Sequence, residues 1–148
     1  MKETIQDLAK EYFNEMVANR RYLHENPELS FQETETYAYL KKQLLSFGIN
    51  NIETYANTGI LAILNPENNS GKTIALRADM DALPVTENTG LPFSSVKPGI
   101  MHACGHDIHM ACLLGTARIL KQISASLNGK VLLLFQPGEE KLPGGALK

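Results

Sequence analysis

The sequence predicts an α/β fold in which helices flank a mixed β-sheet. Apolar residues recur at helical spacing near the start of the chain and again after residue 109, which indicates amphipathic helices. Short β-type runs lie between these stretches. The segment from Lys130 to Gln136 encloses a continuous apolar run, which is typical of a strand buried on both faces. Helices that alternate with such strands usually pack as layers against one sheet.

The first part of the chain predicts two helices. One runs from Thr4 to His24, with Thr4 and Asp7 as a capping box and Asn26-Pro27 as the stop signal. The other follows Ser30 to Glu33, a second capping-box pattern, and is closed by Gly48. The apolar positions at helical spacing are Ile5, Leu8, Tyr12, Met16 and Leu23 in the first helix and Tyr37, Leu40, Leu44 and Leu45 in the second.

The rest of the chain predicts strands, a loop and one more helix. The segment from Leu83 to Gly99 is rich in Pro and Gly and predicts an irregular loop. A helix is indicated from Met110 to Lys121. Pro143 to Lys148 has the pattern of a turn that leads into another helix, so we expect the chain to be part of a longer protein. The predicted strands are Ile49 to Tyr55, Ile60 to Leu64, Thr73 to Arg77 and Lys130 to Gln136.

Composition excludes several classes of partner. The 148 residues are 43% hydrophobic, which is enough for a single core. A net charge of -2 provides no basic surface, so we expect neither nucleic acid nor a membrane as a partner. The aliphatic run from Val131 to Phe135 is far shorter than the roughly 20 residues of a membrane span. The first residues carry acids where a signal peptide is apolar, and we expect a cytoplasmic protein.

The two cysteines, Cys104 and Cys112, are not expected to form a disulfide. They lie eight residues apart, and Cys112 falls in the predicted helix that starts near Met110. A bridge would need a geometry that this helix does not offer.

A cluster of histidines and one cysteine indicates a metal site. Four possible ligands lie close together in the sequence, namely His102, Cys104, His106 and His109. Gly105 would let the backbone fold closely around an ion. The alternative is a helix start with one capping histidine and a buried cysteine. The chain has no second Cys/His pair, so the remaining ligands should be carboxylates, which favours a catalytic over a structural site.

Acidic residues follow two of the predicted strands. Asp79 and Asp81 come after one strand and Glu139 and Glu140 after another, where open α/β sheets place their ligands. The first pair could be solvated loop acids, and the second pair could be acids that complement a helix N-terminus. In a hydrolytic site, one carboxylate of a pair could bind metal and the other take a proton from the attacking water. Asp107 could cap the helix that follows it.

Three motifs in this order resemble those of the metal-dependent N-acyl-amino-acid amidohydrolases. These form the aminoacylase, hippurate hydrolase and auxin-conjugate hydrolase branch of the aminoacylase/carboxypeptidase metallopeptidase family. Weaker similarities occur at Arg21 to Glu28 and at Gly59-Ile60. The motifs are Leu76-Arg-Ala-Asp-Met-Asp-Ala-Leu-Pro84, Met101-His-Ala-Cys-Gly-His-Asp-Ile-His109 and Phe135-Gln-Pro-Gly-Glu-Glu140.

The resemblance implies a site with two divalent metal ions, usually Zn or Mn. By position in the motifs, Cys104, His106 and Glu140 are expected to be metal ligands. Glu139 is expected to be the general base, and Asp81 corresponds to an acid that supports the metal site.

Other residues of the motifs carry less specific expectations. In the carboxypeptidase branch a ligand histidine stands where this chain has Asp79, so that ligand role is not transferred. Asp79, His102, Asp107 and His109 are expected to contact the substrate or to hold the metal ligands in place.

The resemblance also implies an activity and a domain organisation. The expected reaction is hydrolysis of the amide of an N-acyl amino acid, a short peptide or a related small amide. Residues 1–148 would form the N-terminal part of a zinc-peptidase-like catalytic domain, without the lid or dimerisation domain and the C-terminal part, and the full-length form could be a homodimer.

Two other hypotheses compete with this activity. The chain could be an inactive metal-binding fragment that needs the missing C-terminal part or a partner chain. Zinc-dependent nucleobase deamination is set aside because it needs a Pro-Cys-x-x-Cys segment, which the sequence lacks.

Overall fold

Four helices, four strands and two short 3-10 turns make up the described part of the chain. The computed structural model describes residues 2–68 and 71–147. The helices are α1 Lys2–Glu11, α2 Phe13–Glu25, α3 Thr34–Ser46 and α4 His106–Gln122, and the strands are β1 Ile52–Tyr55, β2 Gly59–Leu64, β3 Lys72–Asp79 and β4 Gly129–Gln136. The 3-10 turns are Ser124–Ser126 and Gly145–Leu147.

The strands form one mixed sheet in the order β1-β2-β4-β3. β2 runs antiparallel to both β1 and β4, whereas β3 and β4 are parallel. In the parallel pair Asp79 lies opposite Gln136, so the carboxyl ends of β3 and β4 coincide. The predicted α/β fold with a mixed sheet is confirmed, and the loops that follow β3 and β4 leave the sheet side by side.

The hydrophobic core lies between one face of the sheet and helices α3 and α4, and α2 packs against α4. On β4, Leu133 and Phe135 face these helices and are fully buried. Leu132 and Leu134 point to the opposite face and are half-buried. The prediction that β4 is buried on both faces is therefore wrong for the described residues, because α3 and α4 cover the same face.

The predicted first helix is interrupted at Tyr12, where α1 gives way to α2. Tyr12 has φ -91° and ψ 2°, which lies outside the regular helical region. The hydrogen bonds from the Tyr12 amide to the Leu8 carbonyl and from the Met16 amide to the Tyr12 carbonyl nevertheless continue across the break. The predicted stop is confirmed, since α2 ends immediately before Asn26.

Neither predicted capping box forms. Helix α1 begins at Lys2, so Thr4 lies inside the helix instead of preceding it. At the start of α3 the amides of Glu35 and Thr36 donate to the carboxylate of Glu28, at 3.2 and 2.8 Å. Because Glu28 satisfies these amides, the side chains in the segment from Ser30 to Glu33 are left to bind elsewhere in the fold.

Helix α3 ends where the sequence predicts, and the following strand starts later than predicted. Gly48 adopts a φ of +78°, and its amide donates to the Leu45 carbonyl. The Ile49 amide donates to the Leu44 carbonyl, so residue 49 still belongs to the end of the helix. β1 therefore begins only at Ile52.

Helix α4 begins at His106, four residues before the predicted start at Met110. Gly105 precedes it with a φ of +91°, a left-handed conformation that glycine adopts at little cost. The segment from Leu83 to Gly99 contains no helix or strand, as predicted. The predicted helix near the end of the chain appears only as the 3-10 turn Gly145–Leu147, and residue 148 lies outside the described residues.

Two further findings bear on the sequence-based expectations. Cys104 and Cys112 are both free thiols, which confirms that they form no disulfide. Within residues 2–68 and 71–147, none of the helices combines the length and the apolar character needed to cross a membrane.

We predict that Leu40→Ala lowers the free energy of unfolding by about 2 to 5 kcal/mol. Leu40 is 0% exposed in the core, and truncation leaves a cavity between α3 and the sheet. Leu45→Ala on the same helix is the matched control, because Leu45 is 46% exposed and its loss should change stability by no more than about 0.5 kcal/mol. Urea denaturation measures both values, and equal losses would contradict the packing described here.

Candidate metal centre

Three loops meet at the edge of the sheet where the parallel strands β3 and β4 end. Residues 80–82 follow β3, residues 137–140 follow β4, and residues 101–105 lead into α4. The Met80 amide donates to the Gln136 carbonyl at 2.9 Å and extends the pairing of the two strands beyond Asp79. This edge is where open α/β sheets place their functional groups.

The side chains of Cys104, His106 and Glu140 come together at this edge. Their ligand atoms all lie within 4.8 Å of one another. Among the described residues, this is the group in which at least three possible metal ligands come together. His106 is buried, whereas Cys104 and Glu140 are exposed. The structure thus brings together the three residues that the resemblance indicates as ligands.

The ring of His106 is oriented by Asp81. Its Nδ1 lies 2.9 Å from the Asp81 carbonyl oxygen and 3.5 Å from Asp81 Oδ1, so Nδ1 carries a proton in the neutral ring as well as in the charged one. Nε2 consequently points away from Asp81, at 3.9 Å from Glu140 Oε1 and 4.0 Å from Glu139 Oε2. A histidine that donates one ring N–H to a carbonyl or carboxylate presents the other nitrogen as a metal ligand.

Asp81 joins three of the segments that build the site. Its side chain is fully buried, and its Oδ2 accepts hydrogen bonds from the Ser30 hydroxyl at 2.6 Å and from the Glu140 amide at 2.9 Å. Burial acts to raise the pKa of Asp81, but the hydrogen bonds from His106, Ser30 and the amides of Glu140 and Glu139 lower it from 3.8 to about 2. The carboxylate is therefore charged throughout the physiological pH range.

The surrounding acids favour protonated ligands in the absence of a cation. The hydrogen bond to Asp81 raises the pKa of His106 from 6.5 to about 9, although burial acts in the opposite direction. A hydrogen bond to Glu140, with burial and the nearby negative charges, raises the pKa of the Cys104 thiol. A divalent cation would replace these protons, because metal ligands must be deprotonated.

Glu139 lies next to the ligand group but is more open to solvent. Its side chain is 41% exposed, compared with 21% for Glu140 and 4% for His106. A carboxylate in this position can reach both a group bound near His106 and bulk water.

Asp79 is not part of the ligand group. It is the last residue of β3, and its Oδ1 accepts hydrogen bonds from Arg77 Nε and Nη2 at 3.0 and 2.8 Å. The side chain of Arg77 thus holds Asp79 in an ion pair on the strand itself.

Asp107 does not cap α4, which corrects the sequence-based interpretation. It lies inside the first turn of the helix, and its Oδ2 is 2.8 Å from His24 Nδ1 and 2.8 Å from Arg20 Nε. His24 Nε2 contacts Glu87 at 3.2 Å. Asp107 therefore links the start of α4 to α2, and through His24 to the irregular loop.

The remaining two histidines have different surroundings. His102 is 4% exposed, and neither ring nitrogen has a hydrogen-bond partner among the described residues. Burial lowers the pKa of His102 to about 4, although the charge of Asp107 acts in the opposite direction, so its ring is neutral. His109 is exposed on α4, with its ring centroid 5.9 Å from that of His106.

Sequence reasoning missed three residues that support the site. Ser30 has the pattern of a helix cap, although its hydroxyl binds Asp81. His24 falls within the weaker similarity at residues 21–28, which could have indicated it. Glu87 accepts the Ser95 amide at 2.6 Å and orders the irregular loop, but no local pattern distinguishes it.

A pocket of about 240 Å³ opens beside Glu140. It has room for one end of a small molecule at the edge of the ligand group. The residues that line it are Leu29, Ser30, Gln32, Ala82, Leu83, Pro84, Glu140 and Lys141.

We predict that Asp81→Asn destabilises the metal-free protein at pH 7 by about 1 to 3 kcal/mol, because the amide cannot accept from all of the donors that face Asp81. The folded-state pKa of about 2 lies below the unfolded value of 3.8. The contribution of Asp81 is therefore present above pH 3.8 and lost as the pH falls through 2. Urea denaturation between pH 7 and 2 should show the difference between wild type and variant narrowing, and a constant difference would contradict the charge assignment.

Comparison with known proteins identifies the family. Residues 75–148, half of the chain, match the family described as peptidase family M20/M25/M40. This region includes β3 from Ala75 onwards, all of α4 and β4, and all three loops of the site.

Two relatives of known name are similar over most of the chain. An N-acyl-L-amino acid amidohydrolase of Geobacillus stearothermophilus is 46% identical over 98% of the chain, and an N-acetyl-L-cysteine deacetylase of Bacillus subtilis is 53% identical over 85% of it. The chain spans only 39% and 30% of the lengths of these two relatives.

A solved structure agrees with the fold. The Bacillus subtilis YXEP protein, described as a dinuclear metal binding peptidase from the M20 family, superposes with a TM-score of 0.85 at 45% identity. The match covers 91% of this chain and 38% of that protein. The chain therefore belongs to peptidase family M20/M25/M40.

Proposed function

We propose that the complete protein is a metal-dependent amidohydrolase that cleaves the amide bond of N-acyl amino acids, short peptides or related small amides. The observation that carries the proposal is the convergence of Cys104, His106 and Glu140 beside the more exposed Glu139. The relatives named as an N-acyl-L-amino acid amidohydrolase and an N-acetyl-L-cysteine deacetylase support the reaction type and the substrate class.

The proposed cofactor is a pair of divalent metal ions, Zn or Mn, with Cys104, His106 and Glu140 as the ligands that this chain supplies. The donor set fits, since thiolate and imidazole suit Zn and carboxylate suits Mn. The relative described as a dinuclear metal binding peptidase supports the number of ions. When bound, such ions polarise the amide carbonyl and lower the pKa of water.

Glu139 is the proposed general base. It directly precedes the ligand Glu140 in the sequence, and its Oε2 lies 4.0 Å from His106 Nε2. The side chain of Glu139 is 41% exposed. The carboxylate can therefore accept a proton from the attacking water and deliver it to the leaving amine. A separate carboxylate for this role leaves Glu140 free to bind metal.

Asp81 is proposed to act by holding the other groups. It fixes the ring of His106 through Nδ1 and the backbone of Glu140 through its amide. Its charge also increases the basicity of His106, which strengthens metal binding.

Four further residues are proposed to support the site or to face the substrate. Asp107 holds the first turn of α4 against His24. Asp79 directly precedes the loop of residues 80–82, the buried His102 lies in the loop of residues 101–105, and the exposed His109 lies on the same helix as His106. His109 is the member of this group best placed to meet a substrate, because it is the exposed one.

The domain organisation and cell biology are part of the proposal. We propose that the chain is the N-terminal part of the catalytic domain, and that the complete protein has a lid or dimerisation domain, acts as a homodimer and is cytoplasmic. The lengths of the relatives, of which the chain spans 39% and 30%, support additional segments.

One observation favours the alternative of a metal-binding chain without activity of its own. In residues 2–68 and 71–147 three ligand groups converge, whereas two ions held roughly 3.5 to 4 Å apart need ligands on both. Under this alternative the 148-residue chain binds metal but turns over no substrate until other segments complete the site.

We predict that the complete protein, supplied with Zn or Mn, releases free amino acid from N-acetyl or N-benzoyl amino acids. Glu139→Gln should keep its metal and lose about 10²- to 10⁴-fold in kcat, because an amide cannot accept the proton. Amine release and elemental analysis measure the two properties. Metal binding without turnover by the 148-residue chain would support the alternative for that chain. Metal binding without turnover by the complete protein would contradict the proposed function, and near-wild-type kcat in Glu139→Gln would remove Glu139 from the role of base.

We predict that Cys104→Ala weakens metal binding and reduces its pH dependence. His106 and Cys104 both hold protons at neutral pH, since the hydrogen bond to Asp81 raises the pKa of His106 to about 9 and the hydrogen bond to Glu140 raises the pKa of the Cys104 thiol above its usual range. Metal must displace both protons, so affinity rises with pH, and the variant should release about one proton fewer. Chelator competition from pH 6.5 to 8.5 measures how steeply the metal affinity rises with pH. Cys112→Ala, which changes an exposed thiol on α4, is the control, and a slope equal to wild type in Cys104→Ala would exclude the thiolate as a ligand.

A further inference from the structure

Glu33 is a buried carboxylate whose partners lie in two other parts of the fold. It comes directly before α3 and is 0% exposed. Its Oε1 accepts the Gly138 amide at 2.8 Å, and its Oε2 accepts the Thr58 hydroxyl at 2.9 Å. A buried carboxylate is costly unless its oxygens are hydrogen-bonded, and both oxygens of Glu33 have a donor. Neither donor is a charged side chain.

The bond from Gly138 to Glu33 has a counterpart two residues further along the chain. The Gly138 amide binds Glu33, and the Glu140 amide binds Asp81 at 2.9 Å. Glu139 thus lies between two backbone groups that are each held by a buried carboxylate. With both neighbours fixed, the backbone of Glu139 has little freedom to move relative to His106.

Both anchors depend on the loop between α2 and α3. Glu33 belongs to this loop, and Ser30 from the same loop donates to Asp81 at 2.6 Å. Phe31 also contributes, because a Cβ at Gly138 would come within 2.4 Å of its ring. Gly138 has a φ of +60°, so the tight contact and the backbone conformation both require glycine at this position.

We propose that Glu33 is a positioning residue that sets where Glu139 and Glu140 stand relative to His106. The inference rests on the proposed function for the roles of Glu139 and Glu140, but the hydrogen bonds of Glu33 are independent of those roles. Glu33 contacts neither substrate nor metal and acts through the Gly138 amide.

Two variants of Glu33 separate geometry from charge. Glu33→Gln keeps the length, accepts from Gly138 through its carbonyl oxygen and donates to the Thr58 hydroxyl, which can rotate to accept. Glu33→Asp keeps the charge but is one methylene shorter, so it cannot reach both donors. We expect the metal affinity and kcat of Glu33→Gln to remain within about 3-fold of the wild-type values. In Glu33→Asp both should fall roughly 10-fold, because one buried hydrogen bond is no longer made.

The experiment uses the complete protein and three measurements. Hydrogen exchange of the peptide that covers residues 137–141 reports the anchor directly in the metal-free protein. Chelator competition with Zn²⁺ or Mn²⁺ measures the metal affinity, which depends on the position of the ligand Glu140. Steady-state kinetics should show that Glu33→Asp lowers kcat more than it changes KM, because Glu139 acts on the transition state.

Glu28→Asp is the matched control. Glu28 is a buried carboxylate of the same loop, 7% exposed, but it caps α3 and does not bond to Gly138. We expect its shortening to lower the melting temperature without changing exchange at residues 137–141 or the metal dissociation constant. If Glu33→Asp does not fold, Thr58→Val removes one donor to Glu33 and should weaken metal binding by roughly 3-fold.

The proposal is overturned if Glu33→Asp matches wild type in exchange and metal affinity, if Glu33→Gln is as impaired as Glu33→Asp, or if Glu28→Asp weakens metal binding equally. Absence of hydrolysis in the wild-type protein would instead contradict the proposed function. Exchange and metal affinity would still decide whether Glu33 positions the loop.

Discussion

The site depends above all on one buried carboxylate, that of Asp81. The carboxylate accepts hydrogen bonds from the Ser30 hydroxyl and the Glu140 amide. The backbone carbonyl of Asp81 orients the ring of His106. These segments are far apart in the sequence and meet because β3 and β4 are parallel and end at the same level. The ligand group is therefore assembled by protein hydrogen bonds, which hold the donor atoms together before any cation binds.

This arrangement has an electrostatic consequence. The hydrogen bond to Asp81 raises the pKa of His106, and the hydrogen bond to Glu140 raises the pKa of the Cys104 thiol. In the folded chain, His106 and Cys104 are therefore protonated at the positions where a divalent cation would bind. Binding of a cation there would release these protons. Asp81 itself stays ionised, because the hydrogen bonds that it accepts outweigh the effect of its burial.

The sequence predicts the chemistry of the site better than its supporting contacts. The cluster around Cys104 and the acids Glu139 and Glu140 stand out because residue type and position after a strand are local properties. The partner of Glu33 is not a local property, since a Ser-x-x-Glu pattern before a helix has the same appearance whether it caps the helix or binds a distant loop. Here Glu28 caps α3, and Glu33 binds Gly138. The interpretation of that pattern as a cap was wrong for this reason.

X-ray absorption spectroscopy at the metal edge of the Zn-loaded complete protein can decide whether Cys104, His106 and Glu140 bind the same metal centre. We expect a sulfur scatterer at about 2.3 Å together with nitrogen and oxygen scatterers at about 2.0 to 2.2 Å. The sulfur contribution should vanish in Cys104→Ala and persist in Cys112→Ala. A shell of nitrogen and oxygen alone in the wild-type protein would contradict the assignment of Cys104 as a ligand.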